Sequence, residues 1–158
     1  MSKSKFDPKD HYSEKVQRVY EAADVSRNPI SGDYIFDLAT ECGVDSDSLT
    51  LDVGCANGGN SRKLLAKTGC KIEGVDYLDY LVEMGQRENV EAGVADRFNI
   101  QQGSILDIPF PEKHFDFVFC RDTLSVIDDL PKAVAECQRV LKPGKSMLVY
   151  VTQATERL

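Results

Sequence analysis

A short apolar run followed by small residues constrains what this chain can fold into more than any other feature. The run over residues 49–53 has the length of one buried strand, and a helical pattern with Leu64 and Leu65 on its inner side begins at Ser61. Four glycine or alanine residues lie between them: Gly54, Ala56, Gly58 and Gly59. Small residues let a backbone approach a ligand closely, and a helix N-terminus offers unpaired N–H groups to an anionic ligand group. The stretch therefore predicts a strand, a turn and a helix that together bind a cofactor.

The rest of the chain alternates between strand patterns and helix patterns. Further strand patterns occupy residues 71–75, 97–102, 115–120 and 146–151. Helix patterns occupy residues 11–24, a stretch that begins near Ser31 and ends at Gly43, and residues 61–67, 78–93 and 130–141. Alternation of this kind predicts an α/β fold with a doubly wound, mostly parallel sheet of five strands. The polar strand over residues 97–102 suits a sheet edge, and the apolar strand over residues 115–120 suits the centre.

Candidate ligand-binding residues lie at the carboxyl ends of four of these strands. The small-residue turn follows the first strand, Asp76 ends the second, Ser104 and Ile105 follow the third, and Cys120 ends the fourth. Ligands on doubly wound sheets bind beyond the carboxyl ends of the strands, near the point where the strand order reverses. The sequence therefore predicts that these four segments meet at one crevice.

Length and charge restrict the class of protein further. The 158 residues are those of one domain, expected over residues 11–158 after a flexible N-terminus of residues 1–10. The net charge of −7 argues against a nucleic-acid backbone as partner. No apolar run approaches the roughly 20 residues that a membrane-spanning helix needs. The first residues have no apolar core behind their lysines, so no signal peptide is expected.

The cysteines indicate a reducing compartment. There are five of them, an odd number, and none forms a Cys-x-x-Cys pair. This pattern predicts reduced and mostly buried thiols in a cytoplasmic protein, with neither a disulfide framework nor a metal site.

Two classes of cofactor fit a glycine-rich turn with an acidic residue about 20 positions further on. Dinucleotides need room for a pyrophosphate and usually bind the spacing G-x-G-x-x-G, whereas this turn has Ala56 at the second position and glycine at 58 and 59. That spacing suits a smaller ligand whose amino-acid end lies at the turn. Asp76 would then accept hydrogen bonds from both ribose hydroxyls of this ligand.

Four motifs in the same order resemble those of the class I S-adenosylmethionine-dependent methyltransferases that act on small molecules. Residues 51–58 resemble motif I of that family, and residues 74–76 resemble its ribose-binding acid. Residues 106–118 resemble the stretch that enters its fourth strand, and residues 140–144 resemble the turn before its fifth. The resemblance implies a Rossmann-like sheet of order 3-2-1-4-5, S-adenosyl-L-methionine as cofactor, and methyl transfer to a small-molecule acceptor.

The resemblance also implies which residues bind the cofactor. Asp52 and Gly54, with the backbone around them, would hold the methionine end, and Asp76 would bind the ribose. The neighbouring residues that contribute to the methionine site would be Cys55, Ala56 and Asn57.

The remaining contacts implied by the resemblance concern the adenine and the ammonium group. Tyr77 would pack on the adenine, Ser104 and Ile105 would meet its edge and face, and the Cys120 carbonyl would accept from the ammonium. Many members of the family have aspartate where Ser104 stands, and a hydroxyl makes the weaker hydrogen bond there. No residue is marked as a catalytic base. His11, Tyr12 and Tyr20 are candidates for the acceptor side because the first helix often covers the cofactor in similar proteins.

The C-terminus departs from the family pattern. Two further strands usually follow the fifth, whereas this sequence ends at Leu158. We therefore expect a truncated form, or a minimal one whose exposed sheet edge pairs in a homodimer. Two alternatives to a methyltransferase stay open at this point: a cofactor-binding module without catalysis, and an NAD(P)-dependent oxidoreductase.

Overall fold

The computed structural model describes residues 34–151, and these form a parallel sheet with helices on both faces. The helices are α1 (Tyr34–Glu41), α2 (Gly59–Thr68), α3 (Asp79–Glu91) and α4 (Leu130–Val140), with a 3₁₀ turn at Leu124–Val126. The strands are β1 (Leu49–Val53), β2 (Lys71–Asp76), β3 (Phe98–Gln102), β4 (Phe115–Arg121) and β5 (Leu141–Tyr150). Their order is β3-β2-β1-β4-β5, and every neighbouring pair is parallel. The predicted fold class and strand order are confirmed.

Strand positions in the sheet follow from side-chain polarity. β3 lies at an edge, as predicted, and pairs only with β2 among the described strands. β4 lies between β1 and β5, and its side chains alternate between the two faces of the sheet. Phe117 and Phe119 join the core beneath α1, α2 and α3, while Val118 and Cys120 join the core beneath α4. A strand buried on both faces needs the continuous apolar run that β4 has.

Two apolar side chains that the helical patterns place inward are exposed. Tyr34 is 66% exposed and Val134 is 48% exposed. Each stands next to the residue that begins the buried stripe of its helix, Ile35 in α1 and Ala133 in α4. A step of one residue rotates a side chain by about 100° around a helix, so both point away from the sheet. Phe36, which is 3% exposed, completes the buried face of α1 instead.

The fifth strand begins earlier than its pattern predicts. The structure has it from Leu141, whereas the apolar run begins at Ser146. Leu141 pairs with Phe115 and Ser146 pairs with Phe117, with an irregular register between these two points. The chain between them bulges away from β4 and passes through Gly144 at φ +75°. The residues of this stretch are typical of a turn, although the stretch runs along the sheet. They fit here because the register with β4 is irregular at this point.

Several predictions fall on residues that the structure does not describe. These are the terminus of residues 1–10, the helix over residues 11–24 with its acceptor-side candidates, the start of the second helical stretch near Ser31 and the residues after Val151. Within residues 34–151, no helix is both long and apolar enough to span a bilayer.

Candidate functional site

The turn after β1 has a conformation that depends on residues with small side chains. Gly54, Ala56 and Gly58 all have positive φ, at +75°, +51° and +82°. A Cβ atom at Gly54 would lie 2.0 Å from the Oγ1 atom of Thr123, so no larger residue fits there without movement. The backbone of this turn, residues 54–58, is hereafter called the glycine loop. It closes the carboxyl end of β1 against the segment that follows β4.

Asp76 holds the glycine loop from the end of β2. Its Oδ2 atom accepts the Ala56 N–H at 2.7 Å, and its Oδ1 atom accepts the Leu78 N–H at 3.0 Å. The first bond stabilises the positive φ of Ala56, which costs a non-glycine residue roughly 1–3 kcal/mol. A carboxylate oxygen can accept two hydrogen bonds. Both oxygens of Asp76 therefore keep acceptor capacity for a ligand.

Asp52 is the second buried carboxylate at this end of the sheet. It is 3% exposed, and its Oδ2 atom accepts a hydrogen bond from the Ser61 hydroxyl in α2. Burial raises the pKa of Asp52 to about 7, and the charge of Asp76 adds to the rise. The Ser61 hydrogen bond and the positive charge of Arg121 act in the opposite direction. Burial also raises the pKa of Asp76, although the N–H groups of Leu78, Ala56 and Tyr77 oppose it.

The pKa of Asp52 leads to a prediction for stability. The folded pKa of Asp52, about 7, lies above the ordinary value of 3.8. Its stabilising contribution to the free energy of unfolding is therefore present at acidic pH and is lost as the pH rises through the folded pKa. We expect Asp52→Asn to remove this loss. The measurement is urea unfolding of both proteins at pH 5 and pH 8, without cofactor.

The natural chain should lose a few kcal/mol of its free energy of unfolding between pH 5 and pH 8, and the variant should not lose this amount. An unchanged difference between the two proteins across this pH range would show that the Asp52 carboxyl does not titrate there.

Two residues of the glycine loop direct their side chains away from the crevice. Cys55 is 7% exposed and packs in the core beneath α1, α2 and α3, where burial raises the pKa of its thiol well above the ordinary value. The Asn57 Nδ2 atom donates to both carboxylate oxygens of Glu88, at 3.2 Å each. The Cys55 atoms that are left for a ligand therefore belong to the main chain, while the Asn57 side chain is turned toward α3.

The loop after β3 meets Asp76 through the main chain. The Gly103 N–H donates to the Asp76 carbonyl at 2.9 Å, which brings the next two residues beside the crevice. The Ser104 Oγ atom accepts the Leu106 N–H at 3.1 Å, and Ile105 is 6% exposed. Tyr77, which follows Asp76 directly, is 48% exposed.

Cys120 contributes its side chain to the core beneath α4. It is fully buried there, and burial raises the pKa of its thiol to about 12. Thr123, three residues further on, ties this segment to β1 because its Oγ1 atom lies 3.1 Å from the Val53 carbonyl oxygen. The structure thus brings the predicted segments after β1, β2, β3 and β4 to one end of the sheet.

An ion pair that the sequence does not predict holds the loop after β3. Glu136 in α4 accepts the Ile108 N–H at 2.9 Å, and Arg139 donates to the carbonyls of Ile108 and Phe110 at 2.9 and 2.8 Å. The hydrogen bond from Arg139 lowers the pKa of Glu136 to about 2. Their spacing of three residues on a helix is a readable signal for the pair itself, but not for its main-chain targets. Thr123 had no such signal.

Metal ligation has no candidate in this region. Within residues 34–151, no group of three or more histidine, cysteine or acidic residues is arranged to hold an ion.

Fold and site together define a class of protein. The sheet is doubly wound, its strand order reverses at β1, and two buried acids, Asp52 and Asp76, lie toward the carboxyl ends of β1 and β2 there. This is the architecture of a nucleotide- or nucleoside-binding α/β domain. A family model described as a methyltransferase domain matches residues 51–149. The chain belongs to this family, the class I S-adenosylmethionine-dependent methyltransferases, whose cofactor is S-adenosylmethionine.

The chain is similar to several curated proteins over most of its own length. It is 33% identical over 119 residues to a sterol 24-C-methyltransferase of Eremothecium gossypii, which covers 75% of this chain and 32% of that protein. It is 31% identical over 113 residues to a cycloartenol-C-24-methyltransferase of Arabidopsis thaliana, which covers 72% of this chain and 34% of that protein. The chain thus spans about a third of the length of these relatives.

Solved structures show the same relationship. A geranyl diphosphate methyltransferase in complex with GPP and sinefungin is 27% identical, with a TM-score of 0.68, and covers 74% of this chain and 42% of its own. The [4+2]-cyclase SpnF is 26% identical, with a TM-score of 0.69, and likewise covers 74% of this chain and 43% of its own.

Proposed function

We propose that this chain binds S-adenosylmethionine at the carboxyl ends of β1 and β2 and transfers its methyl group to a small-molecule acceptor. The observation that carries the proposal is the pair of buried carboxylates, Asp52 and Asp76, on either side of the glycine loop. The hydrogen bonds that both carboxylates accept compensate their burial only in part, because burial still raises the pKa of each above its ordinary value. A ligand with a positively charged sulfonium and ammonium group, and with ribose hydroxyls as donors, compensates both of them.

The methionine end of the cofactor fits the glycine loop. A Cβ atom at Gly54 would fill the space beside Thr123, so the absence of a side chain there keeps the backbone close to the end of β4. We assign the methionine end to Asp52 and to the main chain of the glycine loop, including Cys55, Ala56 and Asn57. The Cys120 carbonyl accepts from the ammonium group in this proposal.

The nucleoside end fits the segments after β2 and β3. Asp76 accepts from the ribose hydroxyls with the acceptor capacity that its two backbone hydrogen bonds leave. Tyr77, which is half exposed, packs on the adenine, while Ser104 and Ile105 contact its edge and face. The Ser104 hydroxyl can donate to a ring nitrogen while its oxygen accepts from Leu106.

Methyl transfer requires little acid–base catalysis by the protein. When bound, S-adenosylmethionine would supply a methyl group that its sulfonium activates. Transfer would form the acceptor–methyl bond, break the sulfur–methyl bond to release S-adenosylhomocysteine, and pass the proton of the acceptor to solvent. The residues of this chain orient the cofactor and exclude water from it, which is how a positioned pair of reactants gains rate. A catalytic base is accordingly not assigned.

A small molecule is the proposed acceptor. Three of the similar proteins are named for sterols, cycloartenol and geranyl diphosphate, which are all isoprenoid compounds. A net charge of −7 is unfavourable for binding a polyanion. An isoprenoid panel is therefore the first choice for an acceptor screen, followed by amines and phenols.

Calorimetry and a labelled cofactor test the proposal in turn. We expect the chain to bind S-adenosylhomocysteine and not NADH, and to transfer label from S-adenosylmethionine to an acceptor. Binding of NADH in place of S-adenosylhomocysteine would contradict the proposal. The family assignment already favours the first cofactor over the nicotinamide alternative.

Cofactor binding without methyl transfer is the second candidate function. Its support is the similarity to SpnF, a protein of this fold that is named as a cyclase. Transfer to no acceptor in the panel, with S-adenosylhomocysteine still bound, would favour this candidate.

Location, assembly and domain boundaries stay predictions. All five cysteines are free and four of them are buried, which is compatible with the proposed cytoplasmic location. β5 pairs only with β4 among the described strands, and Val149 beside its end is 42% exposed. Pairing of this edge in a homodimer predicts twice the chain mass by light scattering. The domain over residues 11–158 includes residues outside the described range.

A further inference from the structure

Asn57 in the glycine loop is held from both sides by the helices that flank it. The Nη1 atom of Arg62, in α2, donates to the Asn57 carbonyl oxygen at 2.9 Å. The Asn57 side chain donates to Glu88, in α3. Both the main chain and the side chain of this one loop residue are therefore fixed by charged partners.

The two partners are joined to each other and to the sheet. Arg62 forms an ion pair with Glu88, and its Nη1 atom also donates to the Asn89 Oδ1 atom at 2.9 Å. Asn89 is 1% exposed and donates to the Phe98 carbonyl in β3 at 2.9 Å. The glycine loop is thus connected through four side chains to the edge strand of the sheet. We call the set of Arg62, Glu88, Asn89 and the Asn57 side chain the loop clamp.

The loop clamp explains why a cation, Arg62, lies near the N-terminus of a helix. Arg62 lies in the first turn of α2, where the partial positive charge of a helix N-terminus disfavours a cation by roughly 0.3–1 kcal/mol. Pairing with the Glu88 carboxylate offsets that cost. Gly85 in α3 allows the required close approach, since a Cβ atom there would lie 2.7 Å from the Asn57 carbonyl oxygen.

The charged side chains of the loop clamp are partly exposed, unlike the side chains of the apolar core. The Arg62 side chain is 20% exposed and the Glu88 side chain is 34% exposed, and ion pairs of this kind add little to stability. The loop clamp thus contacts the backbone at position 57, between Ala56 and Gly58, which both have positive φ.

We infer that Arg62, Glu88 and the Asn57 side chain are positioning residues, which preorganise the glycine loop for the cofactor without contacting it. This inference rests on the proposed function, because it concerns the same site. Preorganisation improves affinity by removing the cost of ordering the loop on binding. The loop clamp therefore raises cofactor affinity, although its side chains lie on the side of the glycine loop that faces away from the cofactor.

The test compares Arg62→Ala with Arg97→Ala. Arg97 is a matched control because its Nη2 atom also donates to main-chain carbonyls, those of Ser46 and Gly69, near the amino ends of the strands. We expect Arg62→Ala to raise the Kd for S-adenosylhomocysteine about tenfold or more, as loss of charge-assisted hydrogen bonds predicts. Arg97→Ala should leave the Kd within about twofold, even if its Tm falls further.

Hydrogen exchange gives a readout that does not depend on cofactor. In the ligand-free protein, the amides of Ala56 and Gly58 donate to Asp76 and to the Cys55 carbonyl. We expect Arg62→Ala to accelerate exchange at both amides, and Arg62→Lys to restore part of the protection through the ion pair with Glu88. Arg97→Ala should not change exchange at either amide.

The outcomes separate the inference from the proposed function. If the natural chain binds no S-adenosylhomocysteine, the proposed function fails, and the exchange measurement alone decides whether Arg62 holds the loop. If the natural chain binds it and Arg62→Ala binds equally well, the inference is overturned. Equal weakening by Arg97→Ala also overturns it, because the effect is then a general loss of stability.

Discussion

Replacement of Asp76 by alanine is expected to weaken binding of S-adenosylhomocysteine by roughly 100-fold or more. Two effects act together. The variant loses the proposed carboxylate contacts with the ribose, and hydrogen bonds to a charged acceptor contribute about 1.5–3 kcal/mol each. It also releases the Ala56 N–H from its 2.7 Å hydrogen bond, so the glycine loop loses its link to β2. Titration calorimetry measures the change directly.

Asp116 provides the matched control for Asp76. It too is a strand aspartate that accepts a backbone N–H, that of Leu49 at 3.2 Å, but it lies at the amino end of β4 with Lys142 and Lys145. Asp116→Ala should lower stability and leave the Kd for S-adenosylhomocysteine within about twofold. An Asp76→Ala variant that binds as well as Asp116→Ala does would remove Asp76 from the cofactor site.

Gly54→Ala is expected to destabilise the fold by about 3 kcal/mol or more. Positive φ alone costs a non-glycine residue roughly 1–2 kcal/mol. The remainder comes from the new Cβ atom, which would lie 2.0 Å from the Thr123 Oγ1 atom and push the segment after β4 away from β1. Urea unfolding gives the size of the loss.

Gly144 isolates the steric part of this effect. It has the same φ of +75°, and nothing lies within 4 Å of the position that its Cβ atom would take. Gly144→Ala should therefore cost only the conformational term, about 1–2 kcal/mol. Equal losses for the two variants would contradict a close approach between the glycine loop and Thr123.

Local pattern was sufficient to predict the sheet. β1 has the bounds of its apolar run, since the glycine loop ends the strand abruptly. The edge position of β3 follows from its polar residues, and the order of the strands was implied by the family resemblance. β5 was harder because the segment before Ser146 has no apolar pattern, and only its backbone register with Phe115 places it in the sheet.

Contacts between side chains that are distant in the sequence could not be predicted from the sequence. A motif places Asn57 in the turn, but its link to Glu88 joins residues 31 positions apart on different elements. The contacts of Arg139 with Ile108 and Phe110 span a similar separation. A helical pattern shows which residues share a face, whereas the loop that this face meets depends on the tertiary packing.

Three of the proposed site residues turn their side chains away from the ligand. Cys55, Asn57 and Cys120 all direct their side chains into packed or hydrogen-bonded surroundings. Variation at these positions is therefore expected to act through stability and loop geometry. Asp76 and Tyr77, in contrast, are the residues whose side chains we propose to contact the ligand directly.

The crystal structure of the chain with S-adenosylhomocysteine is the measurement that tests the central claim most directly. We predict that both ribose hydroxyls lie within hydrogen-bonding distance of the Asp76 carboxylate, with the methionine end over residues 54–58. A nucleoside bound away from the carboxyl ends of β1 and β2, for instance beside Asp116, would contradict this site and the function that we derive from it.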